Sequence, residues 1–159
     1  MPRPRRRPTA DDGFTLIELM VVVLILGVLV TIALPTFLGA RERAADTAAK
    51  SSIRSGLTAG RIIYTTERDY TLATVPTLEA TDNSIDWRNA TTPSDGPTAV
   101  SAHPIDGETL VLAVYSSSGI CFAVRDEAPA TTTYASSSSD PADCTADNAG
   151  TTFGFGPSW

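Results

Sequence analysis

The sharpest chemical signature in this sequence is one carboxylate in a greasy setting. Glu18 closes the stretch Gly13-Phe14-Thr15-Leu16-Ile17-Glu18 and stands about one turn inside an apolar run. An acid within a membrane helix costs roughly 2.5–3.5 kcal/mol on insertion scales, so it normally has a partner or a task. The plain alternative, a side chain that snorkels to the headgroups, ignores how specific its neighbours are. Elsewhere the chemistry is thin. A single histidine, His103, supports neither a Ser-His-Asp nor a Cys-His set. Cys121 and Cys144 are too few for a four-ligand zinc site, and His103 has no ligand-like spacing to them. Asp140, Asp143 and Asp147 lack a calcium-loop pattern and read as solvated loop acids. Asn89-Ala90-Thr91 fits a glycosylation acceptor, a short pattern that chance often produces. There is no phosphate-binding glycine loop. The expectation is a protein without enzymatic activity, metal or cofactor.

The element that carries Glu18 is the apolar span itself. From Leu19 to Leu34 only Gly27 and Thr31 interrupt it. Phe14 to Leu38 as helix measures about 37 Å at roughly 1.5 Å per residue, enough to cross a bilayer with some tilt. A secretory signal would have an apolar core of roughly 7–15 residues and then a small-x-small cleavage site. Here the core is longer, and "LPTFLGARERAADTAAK" continues as helix. A twin-arginine signal fits poorly because Pro8 follows the arginines. The span therefore reads as a retained membrane helix.

Charge sets its orientation. Of 12 Lys/Arg and 18 Asp/Glu, four arginines (Arg3, Arg5, Arg6, Arg7) and two aspartates (Asp11, Asp12) fall in residues 1–13. Basic residues on a short amino-terminal side keep that end in the cytoplasm. The remainder holds 8 basic against 16 acidic side chains, a formal charge of −8, which argues against a nucleic-acid-binding surface. It would lie outside, where Cys121 and Cys144 can oxidise.

The run from Gly13 through Glu18 into Leu19-Met20-Val21-Val22-Val23 resembles the cleavage and methylation signal of type IV prepilins and of the related secretion pseudopilins. The resemblance is dense over residues 13 to 37. It implies that a prepilin peptidase cuts between Gly13 and Phe14 and methylates the new amino terminus at Phe14. A glycine at the cut admits the backbone to a peptidase cleft without a side chain. Glu18 is then the assembly residue, paired with the Phe14 amine of a neighbouring copy. Gly27 and Pro35 fall where pilins commonly carry a helix-loosening glycine and proline. Asp11-Asp12 departs from the basic residues usual before the glycine. The resemblance also implies that Cys121 and Cys144 form one disulfide closing the carboxy-terminal loop; unpaired buried thiols are the other reading.

Beyond the span, Ala45, Ala49, Ile53, Leu57, Gly60 and Tyr64, widened by Gly56 and Ile63, recur at helical spacing as a narrow apolar stripe. Alanines and glycines in place of a Leu/Ile seam argue against a coiled-coil dimer. Helix is expected to about Tyr64. Strands follow: a short one near Ile85-Asp86-Trp87, then Thr98–His103, the turn Asp106-Gly107, Thr109–Tyr115, the turn Ser116–Gly119 and Ile120–Arg125. Trp87 is expected to cap the core. The residues between the cysteines, rich in Ser and Thr, are expected to pack weakly on their own. Phe153, Phe155 and Trp159 are expected to tuck onto the sheet rather than meet another subunit.

The expected fold is α+β and pilin-like, a long amino-terminal helix packed on a small antiparallel sheet. The expected division is a leader over residues 1–13, a membrane and filament-core helix over 14–37 and an exposed amphipathic helix over 38–70. A connecting loop region over 71–97 and a β-sheet with a disulfide-closed end over 98–159 complete it. The function implied is a prepilin in the cytoplasmic membrane that becomes a subunit of a surface filament for adhesion, motility or DNA uptake. Its partners would be the peptidase, other copies and related pilins, the assembly platform and ATPase, and the membrane. The rivals are a pseudopilin and an anchored extracellular domain that never polymerises.

Overall fold

A computed structural model describes residues 13–159; the leader residues Arg3 to Asp12 lie outside them. The chain divides into two units, one ending at Gly39 and one over Ala40–Trp159. Helix α1, Leu16–Glu67, supplies the first unit and the opening of the second. Pro35 removes a helix donor, yet α1 continues through it and through Gly27.

In the second unit, α1 lies against a five-stranded sheet in the order β1-β2-β3-β4-β5. The strands are β1 (Asp86–Arg88), β2 (Ala99–Pro104), β3 (Thr109–Tyr115), β4 (Ile120–Glu127) and β5 (Thr131–Ser138). The pair β1–β2 is parallel and the other pairs are antiparallel. Two short helices complete the unit, α2 (Val75–Thr81) before β1 and α3 (Ala146–Thr152) after β5.

Strand β3 explains the layering. Its five central residues, Leu110 to Val114, are all buried, a continuous apolar run that suits a strand covered on both faces. Alternate side chains take opposite faces. Leu110, Leu112 and Val114 pack with Ile53, Leu57 and Ile63 of α1, while Val111 and Ala113 join Cys121, Cys144, Ala146 and Ala149 on the far side. The helix comes close because its stripe is small: a Cβ added at Gly60 would overlap Leu110 Cδ2, and one at Gly56 would lie 3.1 Å from Trp87. Trp87 is buried as expected, its indole N–H donating to the Asp82 carbonyl at 2.9 Å.

Three elements were not legible. The region around 71–97, expected as loop with one short strand, also contains α2, started by Thr74 and a proline in its first turn. The Ser/Thr-rich residues after Cys121 form β5, paired with β4 from Thr131 to Ser138. The stretch expected to pack weakly on its own does not stand alone: β4 supplies the ladder that composition did not suggest. Helix α3 covers the second sheet face with Ala146 and Ala149. The tail does pack. Trp159 meets Phe122 and Tyr134 edge-on and donates to the Ala123 carbonyl at 3.2 Å, and Phe155 lies under the Arg125 guanidinium.

Candidate assembly site at the amino-terminal helix

Gly13 and Phe14 precede α1 in non-helical backbone, both exposed, and a Cβ on Gly13 would meet nothing within 4 Å. Thr15 is positioned to cap the helix. Its hydroxyl accepts from the Glu18 N–H at 3.3 Å, while Glu18 Oε2 accepts from the Thr15 N–H at 3.1 Å and from its hydroxyl at 2.8 Å. This reciprocal arrangement is a capping box, and the pattern T-x-x-E that specifies it stands in the sequence. The reading of Glu18 from sequence missed this local role. The carboxylate therefore sits where it is already organised, one turn from the Phe14 amine that a cut after Gly13 would expose.

The rest of this unit is an apolar rod in need of cover. Phe14 is 78% exposed, and Leu24, Leu29, Ile32 and Leu38 are each more than half exposed. An 18-residue window of α1 reaches a mean hydropathy of 2.9 with none of it buried. Exposed apolar surface of this extent marks a membrane or protein partner. The polar groups within the span are satisfied locally: the Thr31 hydroxyl donates to the Gly27 carbonyl at 2.8 Å and the Thr36 hydroxyl to the Ala33 carbonyl at 2.9 Å.

The second unit displays its own surface on a braced frame. Cys121 and Cys144 form a disulfide with Cα atoms 5.6 Å apart, fully buried, joining β4 to the segment ahead of α3. A second brace centres on Asp126 of β4, 3% exposed. It accepts from the Tyr70 hydroxyl at 2.5 Å, from Arg61 Nη2 of α1 at 2.6 Å and from the Thr132 hydroxyl of β5 at 2.7 Å. Burial alone would raise this carboxyl, but the hydrogen bonds from Arg61, Tyr70 and Thr132 and the arginine charge outweigh it and hold it below its ordinary value. Burial and the bond to Asp126 push the Tyr70 phenol upward. Sequence reasoning found neither Asp126 nor its partners, because they lie far apart along the chain. The acids considered for calcium are dispersed in role. Asp140 caps the short helix Pro141–Asp143, and Asp147 lies 3.5 Å from His103 Nδ1.

The brace makes a stability prediction. Asp126→Ala leaves the buried Tyr70 hydroxyl without its acceptor, whereas Arg61, half exposed, can turn to water. The expected loss is about 2–3 kcal/mol, read by urea unfolding of the full chain in detergent. A carboxyl held below its unfolded value stabilises fully above that value and loses the contribution as pH falls through the folded one. This group should thus contribute no pH slope from 5 to 7 and a decline below about pH 4, a decline that Asp126→Asn removes.

Comparison with known proteins agrees with the amino-terminal geometry. Residues 9–34 match the prokaryotic N-terminal methylation motif. Over 67 residues the chain is 39% identical to the type IV major pilin protein PilA of Myxococcus xanthus (strain DK1622), covering 42% of this chain and 28% of that relative. No solved structure matches. The chain carries a prepilin-type motif at residues 9–34, a long amino-terminal helix whose second half packs on a mostly antiparallel sheet, and a disulfide between Cys121 and Cys144.

Proposed function

We propose that this chain, which carries the prepilin-type amino-terminal motif of the type IV pilin family, is cut after Gly13, methylated at Phe14 and polymerised into a surface filament. The observation that carries this reading is the juxtaposition of an exposed Gly13-Phe14 junction, an organised Glu18 carboxylate and an apolar rod with no cover of its own. Before assembly the rod is held in the cytoplasmic membrane, amino end inside. In the filament the rods of many copies cover one another, and Glu18 meets the Phe14 amine of an adjacent copy. An unpaired charge there is strongly unfavourable, so the pair sets the register of each entering subunit. Gly27 and Pro35 are the places where α1 yields on packing. The role is structural, in adhesion, motility or DNA uptake, with a prepilin peptidase, an assembly platform and an ATPase as partners. The Ser/Thr-rich surface of β5 favours a surface filament over a short secretion piston, and the buried disulfide fits an oxidising space beyond the cytoplasm.

Mass spectrometry of the mature amino terminus tests the reading. The expected species begins at Phe14 and carries one methyl group. A chain that keeps residues 1–13, or is cut elsewhere, would favour the non-polymerising anchored domain.

A further inference from the structure

We propose that a groove between α1 and α2 receives a second copy of this chain, through the stretch of that copy's α1 that presents Leu38 and Arg41; this rests on the filament reading above.

The groove has two lobes that share Ile62 and Thr81, with volumes of about 460 and 240 Å³. Its apolar floor is unusual for this unit. The large hydrophobics left well exposed beyond Ala40 are Ile62 (51%), Leu72 (45%) and Ile105 (45%), and the first two line the larger lobe. Each lobe also carries one carboxylate, Glu67 in the larger and Asp82 in the smaller, and no Lys or Arg lines either. Hydrogen bonds from the Ser84 hydroxyl and backbone N–H orient the Asp82 carboxyl and hold it below its ordinary value. The site therefore selects an element that offers apolar surface beside a cation. It disfavours anionic lipid headgroups, which both carboxylates repel.

The chain carries such an element. Charge is segregated along it: six of the eight Lys/Arg beyond residue 13 lie between Arg41 and Arg68, whereas residues from Asp69 onward hold twelve acids against Arg88 and Arg125. On α1, Leu38 is 55% exposed and Arg41 follows three residues later on the same face, also exposed. The chain cannot place this stretch in its own groove. Arg41 and Ile62 belong to one helix and are separated along it by roughly 31 Å. A contact between them must join two copies displaced along the helix direction. Such a heterologous contact does not close on itself, so it repeats from copy to copy as a fibre.

The test pairs Leu38→Cys with Ile62→Cys in the full chain, leaving Cys121–Cys144 intact, in cells that assemble the filament. Mild oxidation of sheared filaments should give a ladder of dimers and higher multimers on a non-reducing gel, with no ladder from either single variant. Normal filaments without a ladder overturn the groove contact and leave the filament reading standing. Wild-type chain that never enters a filament overturns both. Cross-links running only to a different protein, identified by mass spectrometry, also overturn it. Should the cysteine pair block assembly, charge reversal decides. Arg41→Glu should lower filament yield about fivefold, and adding Glu67→Arg should restore most of it. No recovery, with Glu67→Arg alone still folded, overturns the contact.

Discussion

Glu18→Gln should yield a chain that enters the membrane and is trimmed after Gly13, yet assembles almost no filament. Glutamine can replace glutamate in a capping box, so the bonds that Thr15 makes to Glu18 survive in kind. What the variant loses is the charge. A buried amine left without its carboxylate costs about 3–5 kcal/mol. At 1.4 kcal/mol per tenfold, subunit addition falls by a factor of roughly 10²–10⁴. Thr15→Val is the complementary variant, because it keeps the charge and removes the cap at a cost of about 1 kcal/mol. Filament yield from Thr15→Val should stay near wild type. Sheared filaments quantified against total membrane-bound chain provide the measurement. Wild-type yield from Glu18→Gln, or equal losses in both variants, would reduce Glu18 to a helix cap.

The second large effect concerns the disulfide. Changing Cys121 and Cys144 together to alanine should cost the second unit roughly 3 kcal/mol, from the loop-closure entropy regained by the unfolded chain. For a unit of this size that is a fall in melting temperature of about 10–15 °C. The structure says where the loss appears first. Both sulfurs are buried beside Val111, Ala113, Ala123 and Ala135, under Ala146 and Ala149 of α3. Without the bridge, α3 is held by small alanines and by a few hydrogen bonds: the Ser101 hydroxyl accepts from the Ala146 N–H at 2.9 Å, the Ala90 carbonyl accepts from the Asp147 N–H at 3.0 Å and Arg125 donates to the Gly150 carbonyl. Amide exchange should accelerate in α3 well before β3, whose far face still packs on α1. Uniform acceleration across α3 and β3 would contradict the two-layer description.

The two units differ in how far their sequence speaks for them. In the first, every determinant is local. The apolar run, the glycine before it and T-x-x-E lie within one stretch, and a capping box needs only residues three apart. In the second, the stripe on α1 was readable because its helical period reports which face is covered, and Leu110–Val114 because an unbroken apolar run marks a strand covered on both faces. Strand β5 was not: Thr and Ser serve strand and loop alike, and pairing with β4 decided between them. Helix α3 spells Ala-Asp-Asn-Ala-Gly-Thr-Thr, a weak helix former with glycine inside it, and exists because Thr145 caps it and its alanines fit the sheet.

The sequence by itself determined the membrane-length rod, the lone acid in it and the helix-on-sheet class, which follow from composition and periodicity, while the candidate cut is what the resemblance to the prepilin signal implies. Only the tertiary structure decided that Asp126 is gripped by Arg61, Tyr70 and Thr132, that the cysteines meet and that Ile62 and Leu72 share a groove with two carboxylates. Those arrangements join residues distant along the chain. Their energies come from desolvation and from hydrogen-bond geometry, which exist only once the layers have closed on one another.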